Sequence, residues 1–117
     1  GLHVLDSCRL EKAFRHFGHD ISDEDHILEA GLGFSVKTDK PASQLGQFIG
    51  RDAVLAKREA GLKKRLVQFQ LKDPAPLLYH NEPILRDGEI TGYVTSGNYG
   101  HRLGSAIGPR LCGLPQW

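Results

Sequence analysis

Leu5, Cys8 and Lys12 fall on one stripe of a 3.6-residue repeat, and Leu10, Phe14 and Phe17 fall on another. The spacing predicts a helix over residues 4–16 that is covered on more than one side, with Gly18 as its stop. Ser22-Asp23-Glu24-Asp25 has the pattern of an N-cap and acidic first turn, with Asp25 placed to reach back to Ser22. A short helix to Leu28 or Ala30 should follow, ended by Gly31 and Gly33. Phe34-Ser35-Val36 alternates and predicts a short strand, and the polar, Pro41-containing stretch 37–47 reads as a loop. A second helix is expected over Arg51 to Ala60, stopped by Gly61, with Val54, Leu55 and Leu62 toward the core.

From Lys64 the period changes to two, since Leu66, Gln68, Gln70 and Lys72 alternate with Val67, Phe69 and Leu71. Pro83–Arg86 and Glu89–Thr95 flank Asp87-Gly88, which predicts a hairpin because both central residues of a type I′ turn need positive φ. The first half therefore reads mainly helical and the second mainly strand, an α+β chain with no internal repeat.

Composition adds limits. The chain has 117 residues, 39% hydrophobic and 25% charged, values that argue against disorder and fit one domain with a modest core. Fifteen basic and fourteen acidic side chains leave a formal charge of +1, which excludes the broad field of a dedicated nucleic-acid binder. No apolar run approaches the roughly 20 residues that span a bilayer, and no basic-then-apolar leader is visible. Cys8 and Cys112, at opposite ends, make a poor disulfide framework and fit a reducing compartment.

Few constellations suggest chemistry. His16 and His19 beside Asp20 have metal-ligand spacing, but Gly18 interrupts the helix face and His26, His80 and His101 are scattered, so no metal site is expected. Lys57, Arg58, Lys63, Lys64 and Arg65 complement the end of the second helix; the alternative is a patch for a polyanionic tail or an acidic partner. Gly97-Asn98-Tyr99-Gly100 and Gly104 to Gly108 lack the spacing of a phosphate loop and read as turns and bulges. Glu11 and Arg15, four apart, invite a surface ion pair. No catalytic residue stands out.

Two kinds of stretch go further. Leu5-Asp-Ser-Cys-Arg9-Leu-Glu11-Lys-Ala-Phe-Arg-His-Phe17-Gly-His-Asp20 resembles the segment closing the central domain of the aminomethyltransferase family. Leu28-Glu-Ala-Gly-Leu-Gly-Phe34, Phe48-Ile-Gly-Arg51 and Gly92-Tyr-Val-Thr-Ser-Gly97 are similar to later landmarks of that family, in order. The resemblance runs from about residue 2 to about residue 107. The family includes the T-protein of the glycine cleavage system and the folate domains of dimethylglycine and sarcosine dehydrogenases. The T-protein branch usually has Ala-Gly after Arg-Leu-Glu and then Leu-Tyr-Gly. The run Lys12 to Asp20 is more similar to the dehydrogenase-fused branch, whose separate FAD domain oxidises an N-methylated glycine while the folate domain collects the one-carbon unit on tetrahydrofolate.

The resemblance implies a helical junction followed by a C-terminal antiparallel β-barrel. Residues 1–47 would end the folate-binding domain and residues 48–117 would form a truncated barrel. It also implies that Arg9, Glu11 and Phe17 lie at the edge of a folate pocket: Arg9 facing carboxylates or fixing the wall, Phe17 packing on the ring system, Glu11 in either a binding or a structural role. The family's catalytic Asp and most pterin contacts lie outside this chain, so no turnover is expected from it alone. The alternative is a non-catalytic module of the same family, such as the regulatory subunit associated with pyruvate dehydrogenase phosphatase.

The tail departs from the family pattern. Pro109 and Pro115 cannot donate to a ladder, so an incomplete barrel with open edges is expected, and with it swapping, oligomerisation or partial disorder after about Gly100. The implied partners are the N-terminal domains of a parent enzyme and folate, without nucleic acid or membrane. The implied location is the bacterial cytoplasm or the mitochondrial matrix.

Overall fold

A computed structural model describes residues 1–40 and 48–113. In chain order it contains helix α1 (Leu2–Glu11), a 3₁₀ turn (Gly33–Ser35), helix α2 (Arg51–Ala60) and strands β1 (Lys64–Gln70), β2 (Pro83–Arg86), β3 (Glu89–Tyr93), β4 (Asn98–Gly100) and β5 (Ser105–Gly113). β5 lies between β1 and β4 in an antiparallel three-stranded sheet, and β2 and β3 form a separate hairpin. The sheets do not close, so the expected α+β arrangement with an incomplete barrel is what the chain adopts.

α1 ends five residues before the end the periodicity predicts. The amide of Ala13 donates to Leu10 O at 2.9 Å and that of Phe14 to Arg9 O at 2.9 Å, with Ala13 at φ +56°. This is the paired-bond ending that usually places glycine in the left-handed position, here occupied by alanine. Arg15 holds the new direction by donating to Ala30 O at 3.1 Å and Gly31 O at 3.3 Å, so the ion pair with Glu11 does not form. α1 is also covered on one side only. Ser7, Arg9 and Leu10 are buried, whereas Leu2, Val4, Leu5, Phe14 and Phe17 are exposed.

The capping pattern at Ser22 is realised: Asp25 accepts from the Ser22 amide at 2.9 Å, and the Ser22 hydroxyl accepts from the Glu24 amide at 3.2 Å. The helix expected after it reduces to isolated turns, with single bonds from Ala30 to His26 O and Leu32 to Ile27 O. Phe34–Val36 is not a strand. Ser35 closes a 3₁₀ turn by donating both its amide (3.0 Å) and its hydroxyl (2.7 Å) to Leu32 O, and among the described residues no partner strand lies alongside. Most of the expected 37–47 loop lies outside the described residues.

α2 follows its prediction, ending at Gly61 with φ +82°. Val54 is buried, and Leu55 and Leu62 are half-buried. Two ion pairs anchor this region: Lys57 to the buried Glu29 at 3.0 Å, and Lys64 to Asp25 at 2.8 Å. Two members of the basic cluster are therefore already paired with acids.

The hairpin turn has Asp87 at φ +53° and Gly88 at φ +86°, as predicted. Thr91 bulges out of register, since Ile84 pairs with Gly92 and Leu85 with Ile90. The described buried hydrophobic residues are Leu10, Ala30, Val54, Leu66, Val94, Ala106 and Ile107. So small a core leaves an unusual share of the fold's definition to buried polar groups.

The tail does not leave the ladder at Pro109. β5 continues to Gly113, with Pro109 opposite Gln68. The Pro109 carbonyl accepts from the Thr95 amide at 3.1 Å. In an extended strand the N and C=O of one residue point the same way, so the missing N–H faces Thr95 and β1 loses no bond.

Candidate functional site

Of the three residues singled out by the family resemblance, Arg9 lines a cleft. Arg9, buried on the inner side of α1, donates from Nε and Nη2 to Asp6 Oδ1 at 3.0 and 2.9 Å. It donates from Nη1 to Phe14 O at 3.2 Å and to Asp20 Oδ2. Four of its five N–H groups are therefore engaged within the protein.

Asp20 is the centre of the arrangement and is 2% exposed. Its Oδ2 also accepts from the His16 amide at 2.9 Å, and its Oδ1 accepts from the Thr95 hydroxyl at 2.8 Å and the Ser96 hydroxyl at 2.7 Å. Burial works to raise its pKa. The Ser96 hydroxyl, the His16 amide, the Thr95 hydroxyl and the Arg9 charge outweigh burial and hold it below the ordinary aspartate value. Asp20 is thus an acceptor locked in its ionised form, not a group poised to exchange protons near neutral pH.

The network joins three separate pieces of chain. α1 supplies Asp6 and Arg9, the turn after it supplies Asp20, and the segment between β3 and β4 supplies Thr95 and Ser96. An open cleft lies over it, with His16, His19 and His80 at its rim and Gly97 in its wall. The His16 and His19 rings are 4.3 Å apart and tilted. Among the described residues, no group of three or more metal-capable side chains gathers.

Glu11 and Phe17 are elsewhere. Glu11 Oε1 accepts from the amides of Arg102 at 2.6 Å and Leu103 at 3.2 Å, clamping the turn between β4 and β5. Phe17 is 69% exposed, and its backbone forms an isolated bridge with Ile21. The structure therefore separates the three residues, and it adds Asp20, Thr95 and Ser96, which motif reading did not select. Their signal was present, because Gly18-His19-Asp20 and Thr95-Ser96-Gly97 both sit in the stretches that carry the resemblance.

α1 and β4 are stitched directly. Ser7 Oγ donates to Tyr99 O at 2.7 Å, and Asn98 Nδ2 donates to His3 O at 3.2 Å. These bonds hold α1 against β4, while Leu2, Val4 and Leu5 of α1 remain exposed. No helix among the described residues is long and apolar enough to cross a membrane.

The glycine cleavage T-protein C-terminal barrel domain matches residues 64–109, and the N-terminal domain of the same protein matches residues 1–40. A 4-methylaminobutanoate oxidase (formaldehyde-forming) from Paenarthrobacter nicotinovorans is 45% identical over 92% of this chain and 13% of its own length. An aminomethyltransferase from Halothermothrix orenii is 43% identical, over 92% of this chain and 29% of its own. Human mitochondrial sarcosine dehydrogenase is 36% identical, over 92% and 11%. The chain thus spans less than a third of each of these relatives.

The crystal structure of aminomethyltransferase T of the Bartonella henselae glycine cleavage system superposes with a TM-score of 0.78 at 25% identity, covering 97% of this chain and 31% of that one. Two models of one family account for both ends of the Arg9–Asp20–Ser96 network, and a solved member carries the same fold: the chain belongs to the aminomethyltransferase (glycine cleavage T-protein) family.

Proposed function

We propose that this chain is the C-terminal part of a tetrahydrofolate-dependent aminomethyltransferase module. Its parent is a dimethylglycine or sarcosine dehydrogenase-like flavoprotein that passes a one-carbon unit from an N-methylated glycine to tetrahydrofolate, with FAD held in a separate domain. The observation that carries this reading is the buried Arg9–Asp20 pair. It ties the helix bearing Arg-Leu-Glu to the Thr-Ser-Gly segment and so sets one wall of a cleft.

In this reading Arg9 shapes the pocket edge. Only one of its N–H groups is left for a ligand, which does not suit a bidentate grip on a folate carboxylate. Glu11 is structural and Phe17 is available to pack on a ring system. The names of the oxidase and sarcosine dehydrogenase relatives support the flavoprotein branch, and those of the aminomethyltransferases support the folate chemistry. The exposed Leu2, Val4 and Leu5 provide an apolar face suited to the remainder of such an enzyme.

The test is a replacement. Residues 2–109 are substituted for the matching segment of the Halothermothrix aminomethyltransferase and, separately, of the Paenarthrobacter oxidase. Folate-dependent one-carbon transfer is expected in both, with the smaller loss of rate in the oxidase background. A folded, cofactor-loaded chimera with no transfer in either background would overturn the reading.

A further inference from the structure

Between the inner face of β1–β5 and the hairpin lies a second cleft, of about 660 Å³, unconnected with the Arg9 network. Val67 and Phe69 of β1 and Ile84 and Leu85 of β2 make it largely apolar. Arg110 stands behind two of its lining residues, Thr91 and Cys112. It is 7% exposed. Its Nε donates to Leu111 O at 2.9 Å and its Nη1 to the Thr91 hydroxyl at 3.0 Å, both neutral acceptors. Among the described residues no carboxylate lies within ion-pair distance of it, in contrast to the buried Arg9.

A guanidinium withdrawn from water normally has an anion beside it. The fold also makes room for this one: a Cβ on Gly92 would lie 1.6 Å from Arg110 Nη2. A second guanidinium, Arg86, lines the same cleft and is half-exposed, with only a loose 3.7 Å approach to Asp87.

We propose that this cleft binds a small amphiphilic carboxylate, its apolar body against Val67, Phe69, Ile84 and Leu85 and its carboxylate on Arg86, toward Thr91 and Cys112 and the Arg110 charge behind them. The volume falls within the roughly 300–1,000 Å³ of small-molecule sites. The proposal does not depend on the folate reading.

Cys112 reports on the site. Burial raises its thiol pKa and the Arg110 charge works against that rise. With Cys8→Ser making Cys112 the sole thiol of the 117-residue chain, iodoacetamide modification is followed during titration with octanoate, octylamine, acetate and an acidic extended peptide. Octanoate is expected to slow modification and to shift the Thr91 and Cys112 amide resonances, while octylamine and acetate do neither at the same concentration. Arg86→Gln, on the exposed hairpin, should weaken octanoate about tenfold.

Equal protection by octylamine, no protection by octanoate, or protection by the peptide alone each overturns the proposal. So does a folded Arg110→Gln chain that still distinguishes octanoate from octylamine. If that variant does not fold, an unchanged octanoate affinity in Arg86→Gln overturns it instead.

Discussion

Asp20 and Arg9 face one another across eleven residues of chain as a buried ion pair, and the same aspartate receives the hydroxyl of Ser96, seventy-six residues away. Removing the carboxylate would leave the guanidinium buried with Asp6 as its only acid. Asp20→Ala is expected to destabilise the chain by about 3–5 kcal/mol. Urea denaturation followed by circular dichroism measures it, and a loss near zero would show that the pair does not hold the junction.

The same carboxylate sets an acid limit. Its folded pKa lies below the ordinary aspartate value, so its contribution to stability is complete above the unfolded pKa and disappears as pH falls through the folded one. Asp25, lowered in spite of burial by its Lys64 partner, adds in the same direction. Unfolding midpoints taken from pH 6 down to pH 2 should fall steeply below about pH 4. In a folded Asp20→Asn chain the fall should be shallower.

Ala13 occupies a left-handed conformation that costs an L-residue roughly 1 kcal/mol. Ala13→Gly should therefore raise stability by about 0.5–1 kcal/mol, against the usual direction of glycine substitutions. A lower urea midpoint in this variant would mean that α1 does not end where it is placed.

Glu11 is assigned to the β4–β5 turn and away from any ligand. Glu11→Gln should speed hydrogen exchange at the Arg102 and Leu103 amides by about tenfold, for a loss near 1.4 kcal/mol. Exchange at Thr95 and Ser96 should stay unchanged. The opposite pattern would return Glu11 to the cleft.

Gly92 and Arg110 are coupled by sterics. Gly92→Ala is expected to cost several kcal/mol because the new methyl would meet the guanidinium and because φ is +143°. The double variant Gly92→Ala, Arg110→Ala should recover part of this, giving a coupling energy of about 1–3 kcal/mol in a double-mutant cycle.

What the sequence disclosed follows from the range of each signal. The Asp87-Gly88 hairpin, α2 with Gly61 and the alternation of β1 are written in adjacent residues, and each is where the pattern places it. The end of α1 is not: Ala13 has no preference for positive φ, and the turn is imposed by Arg15 reaching Ala30 and Gly31. Phe34–Val36 alternates, but three residues without a partner strand cannot make a ladder. Arg9 was singled out by resemblance. Its burial was not, because Thr95 and Ser96 lie more than seventy positions from Asp20, beyond any periodicity.

The strand through Pro109 also decides where the open sheets can recruit another chain. Beyond Asn98, the flank of β5 that β4 leaves uncovered presents a residue with no donor and a carbonyl already taken by Thr95. At that position an incoming strand would find no donor and no free carbonyl, which weakens edge-to-edge pairing there. The outer flank of β1 is another open edge, and there the Leu66 amide is already committed to Glu29 O. A proline that looks like a defect in an unfinished barrel thus removes one pairing position from an open flank without costing the sheet a bond.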